Sequence, residues 1–71
     1  MNNKLTPLEC SILALAASGY ANKQIGLRLD MAEKSVKNHL TIIFDKLDVR
    51  NRTLAVIRAY RLGYINLVEI P

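Results

Sequence analysis

One cysteine, one histidine and three glycines in 71 residues leave little room for several kinds of chemistry. With Cys10 alone, no intrachain disulfide can close and no cysteine-rich metal site can be assembled, so the thiol is expected as core or half-buried filler. His39 has no second histidine, cysteine or carboxylate at ligand spacing around it. A zinc site is therefore not expected, and a phosphate or packing contact from a helix is. No glycine-rich phosphate loop occurs, and no nucleophile can be paired with a base, so neither an enzyme nor a bound cofactor is expected. No run of about 18 apolar residues is present to cross a membrane, and the start lacks the charged-then-apolar pattern of a signal segment. There is no repeat or low-complexity stretch. The expectation is a soluble, cytoplasmic protein with no membrane segment, no metal and no small-molecule ligand.

What the chain does have is apolar content, 51% of its residues, enough for a core. At 71 residues it can hold only one domain, residues 1–71, and that domain sits near the size where a single core barely suffices. Help from a partner chain is plausible on those grounds. Ten Lys and Arg against six Asp and Glu give a net charge of +4, which suits an anionic partner.

The organising stretch is Ala32 to Leu47. At helical spacing Val36, Leu40, Ile43 and Leu47 fall on one stripe with Phe44 beside it, the pattern of a helix packed along one side. Lys34, Lys37, Asn38, Thr41 and Asp45 lie opposite, and the first four can bond phosphates or base edges. Just upstream, Asn22 to Leu29 reads as a short helix with Ile25 and Leu29 one turn apart, joined through Asp30, Met31 and Ala32. Two helices joined by so short a turn make a helix-turn-helix unit, whose second helix enters the major groove. Gly26 then has a reason, because a residue without a side chain permits close approach where the helices cross.

The flanks complete four helices, near 7–18, 23–30, 33–47 and 52–62. Thr6, Pro7 and Glu9 form a T-x-x-E capping box, across which Leu5 and Cys10 could staple, and Gly19 suits the stop after the first helix. Residues 1–4 read as a frayed polar end. Asn22 is expected to cap the second helix, with Lys23 in its first turn, where a phosphate would relieve the charge against the dipole. Asn51 caps the fourth, which stops at Gly63. There Ala55, Ala59 and Leu62 form one stripe, while Leu54, Ile57 and Tyr60 lie on other sides. Either a second copy covers the face of Leu54, Ile57, Tyr60 and Arg61, which is the expectation, or the tail bearing Tyr64, Ile65, Leu67, Val68 and Ile70 does.

Several short motifs stand in order: Leu5 to Glu9; Gly19; Asn22 to Ile25; Glu33 to Leu40; Ile43 and Phe44; Lys46 and Leu47; Asn51 to Thr53; Ala55 and Val56. Together they resemble the LuxR-type (GerE-like) helix-turn-helix domain, and the likeness runs from Leu5 to Ile65. It implies a four-helix DNA-binding transcription regulator, with the third helix in the major groove and the fourth often pairing two subunits. Carried over by position, Lys34, Lys37, Asn38 and Thr41 would face the bases. Asn22, Lys23, Ser35 and Arg52 would be candidates for the DNA backbone. Such a domain usually ends a longer chain; the initiating Met1 suggests a stand-alone regulator instead, with a fragment of something longer as the alternative. Four residues depart from the family pattern. Ala32 stands where the reading helix usually has a Ser or Thr cap, and Asp48 replaces a usual glycine. Ile42 and Asp45 replace residues commonly polar and basic, and Asp45 should tilt the end of the helix away from phosphate.

The expected function is a homodimeric, sequence-specific regulator bound to double-stranded DNA, nucleoid-associated when bound, with RNA polymerase as a further candidate partner. The alternative is a helix-turn-helix module that grips another regulator or polymerase instead of DNA. Ile42, Asp45 and the moderate net charge favour it.

Overall fold

A computed structural model describes residues 4–66, and its first helix begins where the T-x-x-E pattern puts it. The Thr6 hydroxyl accepts from the Glu9 amide at 3.2 Å, and the Glu9 carboxylate accepts from the Thr6 amide at 2.7 Å. Both halves of the capping box are closed, and Pro7 takes the first helical position, where its missing N–H leaves no bond unmade. Helix α1 spans Pro7–Ala17, α2 Asn22–Leu29, α3 Glu33–Leu47 and α4 Arg52–Arg61, with no strand among the described residues. The all-α, four-helix expectation holds.

All four helices end in the same device. One or two residues past the end of α1, α3 and α4 the chain turns left-handed, Gly19 at φ 96°, Asp48 at φ 55° and Gly63 at φ 84°, and the next amide reaches back to a carbonyl of the last turn. Tyr20 bonds Leu15, Val49 bonds Phe44, and Tyr64 bonds Ala59 at 2.8 Å. Asp30 ends α2 in the same way, turning left-handed at φ 56°, and the Met31 amide after it bonds the Gly26 carbonyl at 2.8 Å. An aspartate tolerates this region at some cost, as expected for Asp48.

The core is built around α3, which touches each of the other three helices. Its Val36, Leu40, Ile43 and Leu47 are buried together with Leu5, Ile12, Leu13 and Ala16, with Ile25 of α2, and with Ala55 and Ala59 of α4. Cys10, Phe44, Tyr64 and Ile65 are half-buried against this cluster. Burial and the neighbouring Glu9 carboxylate push the Cys10 thiol up, which makes it a poor nucleophile. The expectations for residues 1–3, and for Leu67, Val68 and Ile70 of the tail, lie outside the described residues.

Two sequence expectations are corrected. Asn22 does not cap α2. It is the first helical residue, and Ala21 holds the cap position with no side-chain acceptor. Gln24 supplies the compensating bond instead, accepting from the Ala21 amide at 2.9 Å. Leu62 does not join the buried stripe of α4; it is 60% exposed. The helix stops at Arg61, and the turn at Gly63 swings Tyr64 and Ile65 onto the core in its place.

An ion pair was not visible beforehand. Glu9 is buried and meets Lys46, 37 residues away, at 2.8 Å, and the Lys46 ammonium also donates to the Lys4 carbonyl at 3.2 Å. Burial alone would raise the Glu9 carboxyl. The bonds from Lys46 and Thr6 and the Lys46 charge outweigh it and hold the group below the ordinary glutamate range. A carboxyl depressed in the folded state contributes stability above its unfolded value and loses it as pH falls through the folded one. Wild type should therefore lose urea resistance as pH drops below about 4.3. Glu9→Gln, which keeps the shape and removes the charge, should be less stable at neutral pH and lose less on acidification.

Candidate nucleic-acid interface

Because the inner stripe of α3 is consumed by the core, its outer side is left to solvent. Lys34, Lys37, Asn38, Thr41, Ile42 and Asp45 are all exposed there. The helix starts at Ala32, which offers no side-chain cap, so the first amides of α3 are left without a side-chain acceptor at that position. Glu33 in the first turn complements the dipole.

A groove between the start of α2 and the first half of α3 is lined by Asn22, Glu33, Lys34, Lys37 and Asn38. Four of these five were expected at the interface from the sequence. Glu33 was not, and it puts an acidic group among the two lysines. A shallower groove on the other flank is lined by Ser35, Asn38, His39 and Ile42, so Asn38 stands on the ridge between them. Thr41 lies one turn further on, its hydroxyl donating to the Lys37 carbonyl at 3.2 Å, which leaves the oxygen as an acceptor. Lys23 is exposed in the first turn of α2.

Arg52 is the expected interface residue that is already engaged. It is half-buried at the start of α4, donating from Nη1 to the Tyr20 carbonyl at 3.1 Å and from Nη2 to the Asn22 side-chain oxygen. The Arg28 guanidinium stands over the Tyr20 ring at 4.1 Å from its centroid. Neither contact was legible in the sequence, since both join residues from different elements.

The turn between α2 and α3 comes into close contact at Gly26. A Cβ built there would lie 2.4 Å from the Met31 carbonyl oxygen. The close approach is thus to the turn folding back on α2, not to the body of α3. The Met31 amide donates to the Gly26 carbonyl at 2.8 Å in the same turn.

On α4, Leu54, Ile57, Tyr60 and Arg61 are all exposed, as their place opposite Ala55 and Ala59 requires. Leu54, Ile57 and Arg61 line a groove with Asp48, Val49, Arg50 and Arg58. Among the described residues no three His, Cys, Asp or Glu side chains gather as a metal site, and no helix is long and apolar enough to cross a membrane.

The family described as bacterial regulatory proteins, luxR family, matches residues 3–59. The transcriptional regulatory protein DegU of Brevibacillus brevis is 41% identical over 89% of this chain and 27% of its own length. The HTH-type quorum sensing-dependent transcriptional regulator RpaR of Rhodopseudomonas palustris is 48% identical over 92% of this chain, again across 27% of its own length. The chain thus spans about a quarter of these curated relatives. The solved structure of the transcription factor GerE superposes with a TM-score of 0.87 at 34% identity, covering 94% of this chain and 98% of that one.

Proposed function

The chain belongs to the luxR family of bacterial regulatory proteins, a helix-turn-helix, DNA-binding family of transcription regulators and not of enzymes, and from that premise we propose a homodimer in which each copy lays α3 in one major groove. The observation that carries this reading is the division of α3. Its apolar stripe is buried, and Lys34, Lys37, Asn38 and Thr41 are left together on the outer side beside Asn22. Lys37 and Asn38 contact bases most directly, lysine through guanine acceptors and asparagine through both groups of an adenine edge. Lys34 and Thr41 flank them. Asn22, Lys23 and Ser35 reach phosphates, which fix register without reading sequence. With two-fold symmetry the half-sites lie roughly 10 bp apart. The whole chain acts as one domain, at the nucleoid in the cytoplasm.

The first test is a gel shift on random duplex at low salt, followed by affinity against salt concentration. Binding is expected, with a log–log slope that falls by about 0.9 when Lys23→Ala removes one phosphate contact, and with equal weakening on all sequences. No binding at micromolar protein removes the reading.

The dimer is supported by the unfilled apolar face of α4, where Leu54 is 45%, Ile57 41% and Tyr60 46% exposed. Ile57→Asp should give a folded, soluble monomer in sedimentation. A parent chain already monomeric at high concentration removes the dimer and leaves the DNA reading intact.

One observation favours a second reading, in which the scaffold grips a regulator or RNA polymerase. Leu27 on α2 is 76% and Ile42 on α3 46% exposed, and Asp45 shares the outer side of α3. The same gel shift separates the two.

A further inference from the structure

We propose that Arg52 serves DNA binding through Asn22 and not by a phosphate contact of its own: its guanidinium holds the Asn22 carboxamide by the oxygen, so that the amide NH2 is the group presented to the groove between α2 and α3. The inference rests on the DNA reading of that groove.

The two bonds from Arg52 go to residues 30 and 32 positions upstream, so one planar fork ties the start of α4 to the first residue of α2 and to the Tyr20 loop before it. Arg28 fixes the same loop from the α2 side by covering the Tyr20 ring. A primary amide carries its acceptor oxygen and its donor NH2 on opposite sides of one carbon. With the oxygen held, the side chain can no longer flip, and its donor end is committed. Asn22 lines the groove with Glu33, Lys34, Lys37 and Asn38, where an incoming phosphate supplies acceptors. A neutral donor placed among lysines adds a directed bond without adding charge. The half-buried guanidinium, meanwhile, has two of its five donors already satisfied by protein oxygens.

Arg52→Lys separates this role from a direct phosphate contact, because lysine keeps the charge and loses the fork. Affinity for random duplex is measured for wild type, Arg52→Lys, Asn22→Ala and the double variant, each checked for folding by its thermal melt. Arg52→Lys and Asn22→Ala should each weaken binding about tenfold, the size of one hydrogen bond to a charged group. The double variant should be no weaker than Asn22→Ala alone, because the two changes remove one shared contact. Arg52→Ala should leave the salt slope unchanged, since no counterion-releasing contact is lost. Wild-type affinity in Arg52→Lys, losses that multiply in the double variant, or a slope that falls by about 0.9 in Arg52→Ala would each overturn the inference while leaving the DNA reading standing. Failure of the wild type to bind duplex overturns both. Nitrogen-15 relaxation on the free wild-type chain gives an answer that needs no variant. The Asn22 side-chain NH2 should be rigid where that of exposed Asn38 is mobile, and equal mobility of the two overturns the inference.

Discussion

Gly26→Ala is expected to lower the melting temperature by on the order of 10 °C. Taken alone, alanine in a helix gains about 1 kcal/mol over glycine. Here the added carbon meets the Met31 carbonyl oxygen at 2.4 Å, about an ångström inside ordinary contact. That oxygen is backbone, so no side-chain rotation relieves the clash. Relief must come from moving the turn, which is pinned by the Met31 amide on the Gly26 carbonyl and by the left-handed Asp30. Overpacking of this kind costs about 1–3 kcal/mol or more, and each kcal/mol shifts the melting point of a domain this small by about 4–8 °C. Against a backbone oxygen the cost falls at the upper end of that range and exceeds the helical gain by about 2 kcal/mol. DNA binding should fall as well even where the variant is folded, because the turn sets the angle at which α2 and α3 meet. A melting point unchanged or raised would show that the turn yields freely and that Gly26 is not what fixes that angle.

Asn38→Ala should weaken binding to the preferred sequence by about 1–3 kcal/mol, roughly 10- to 100-fold, with little change in stability. Asn38 is exposed and stands on the ridge between the two grooves of α3, so its loss opens no cavity. Its carboxamide offers an acceptor and a donor side by side, the pair that an adenine edge matches. Selection of bound fragments from genomic DNA by wild type and variant is the measurement. The variant should lose its preference at one position in each half-site while keeping its affinity for random duplex. An unchanged preference would remove Asn38 from base reading and leave it a phosphate or solvent contact.

Where sequence and structure agree, local rules were enough. The capping box at Thr6 and Glu9, the glycine stops and the buried stripe of α3 depend on spacing within one element, and each formed as expected. The misses involve residues far apart in the chain. Asn22 looks like a cap by type, but Ala21 and Gln24 take that role, and the Asn22 oxygen turns to a guanidinium from α4. Glu9 was readable as half of a capping box. Its burial against Lys46 was not, since no periodicity links positions 37 residues apart. Leu62 fits the stripe of α4 by spacing, yet the left-handed turn at Gly63 begins before its side chain reaches the core. For Gly26 the need for close approach was legible and the partner was not, because the approaching atom belongs to the backbone of the turn. Of the residues lining the groove beside the outer side of α3, Glu33 is the one that the sequence reading did not place there.

The most direct measurement is an amide-resonance titration of the nitrogen-15-labelled chain with random duplex at low salt. The shifts should centre on Asn22, Lys34, Lys37, Asn38 and Thr41, leaving the outer faces of α1 and α4 undisturbed. Shifts centred instead on Leu54, Ile57 and Tyr60, with α3 unmoved, would mean that duplex docks elsewhere and that the outer side of α3 does not read it.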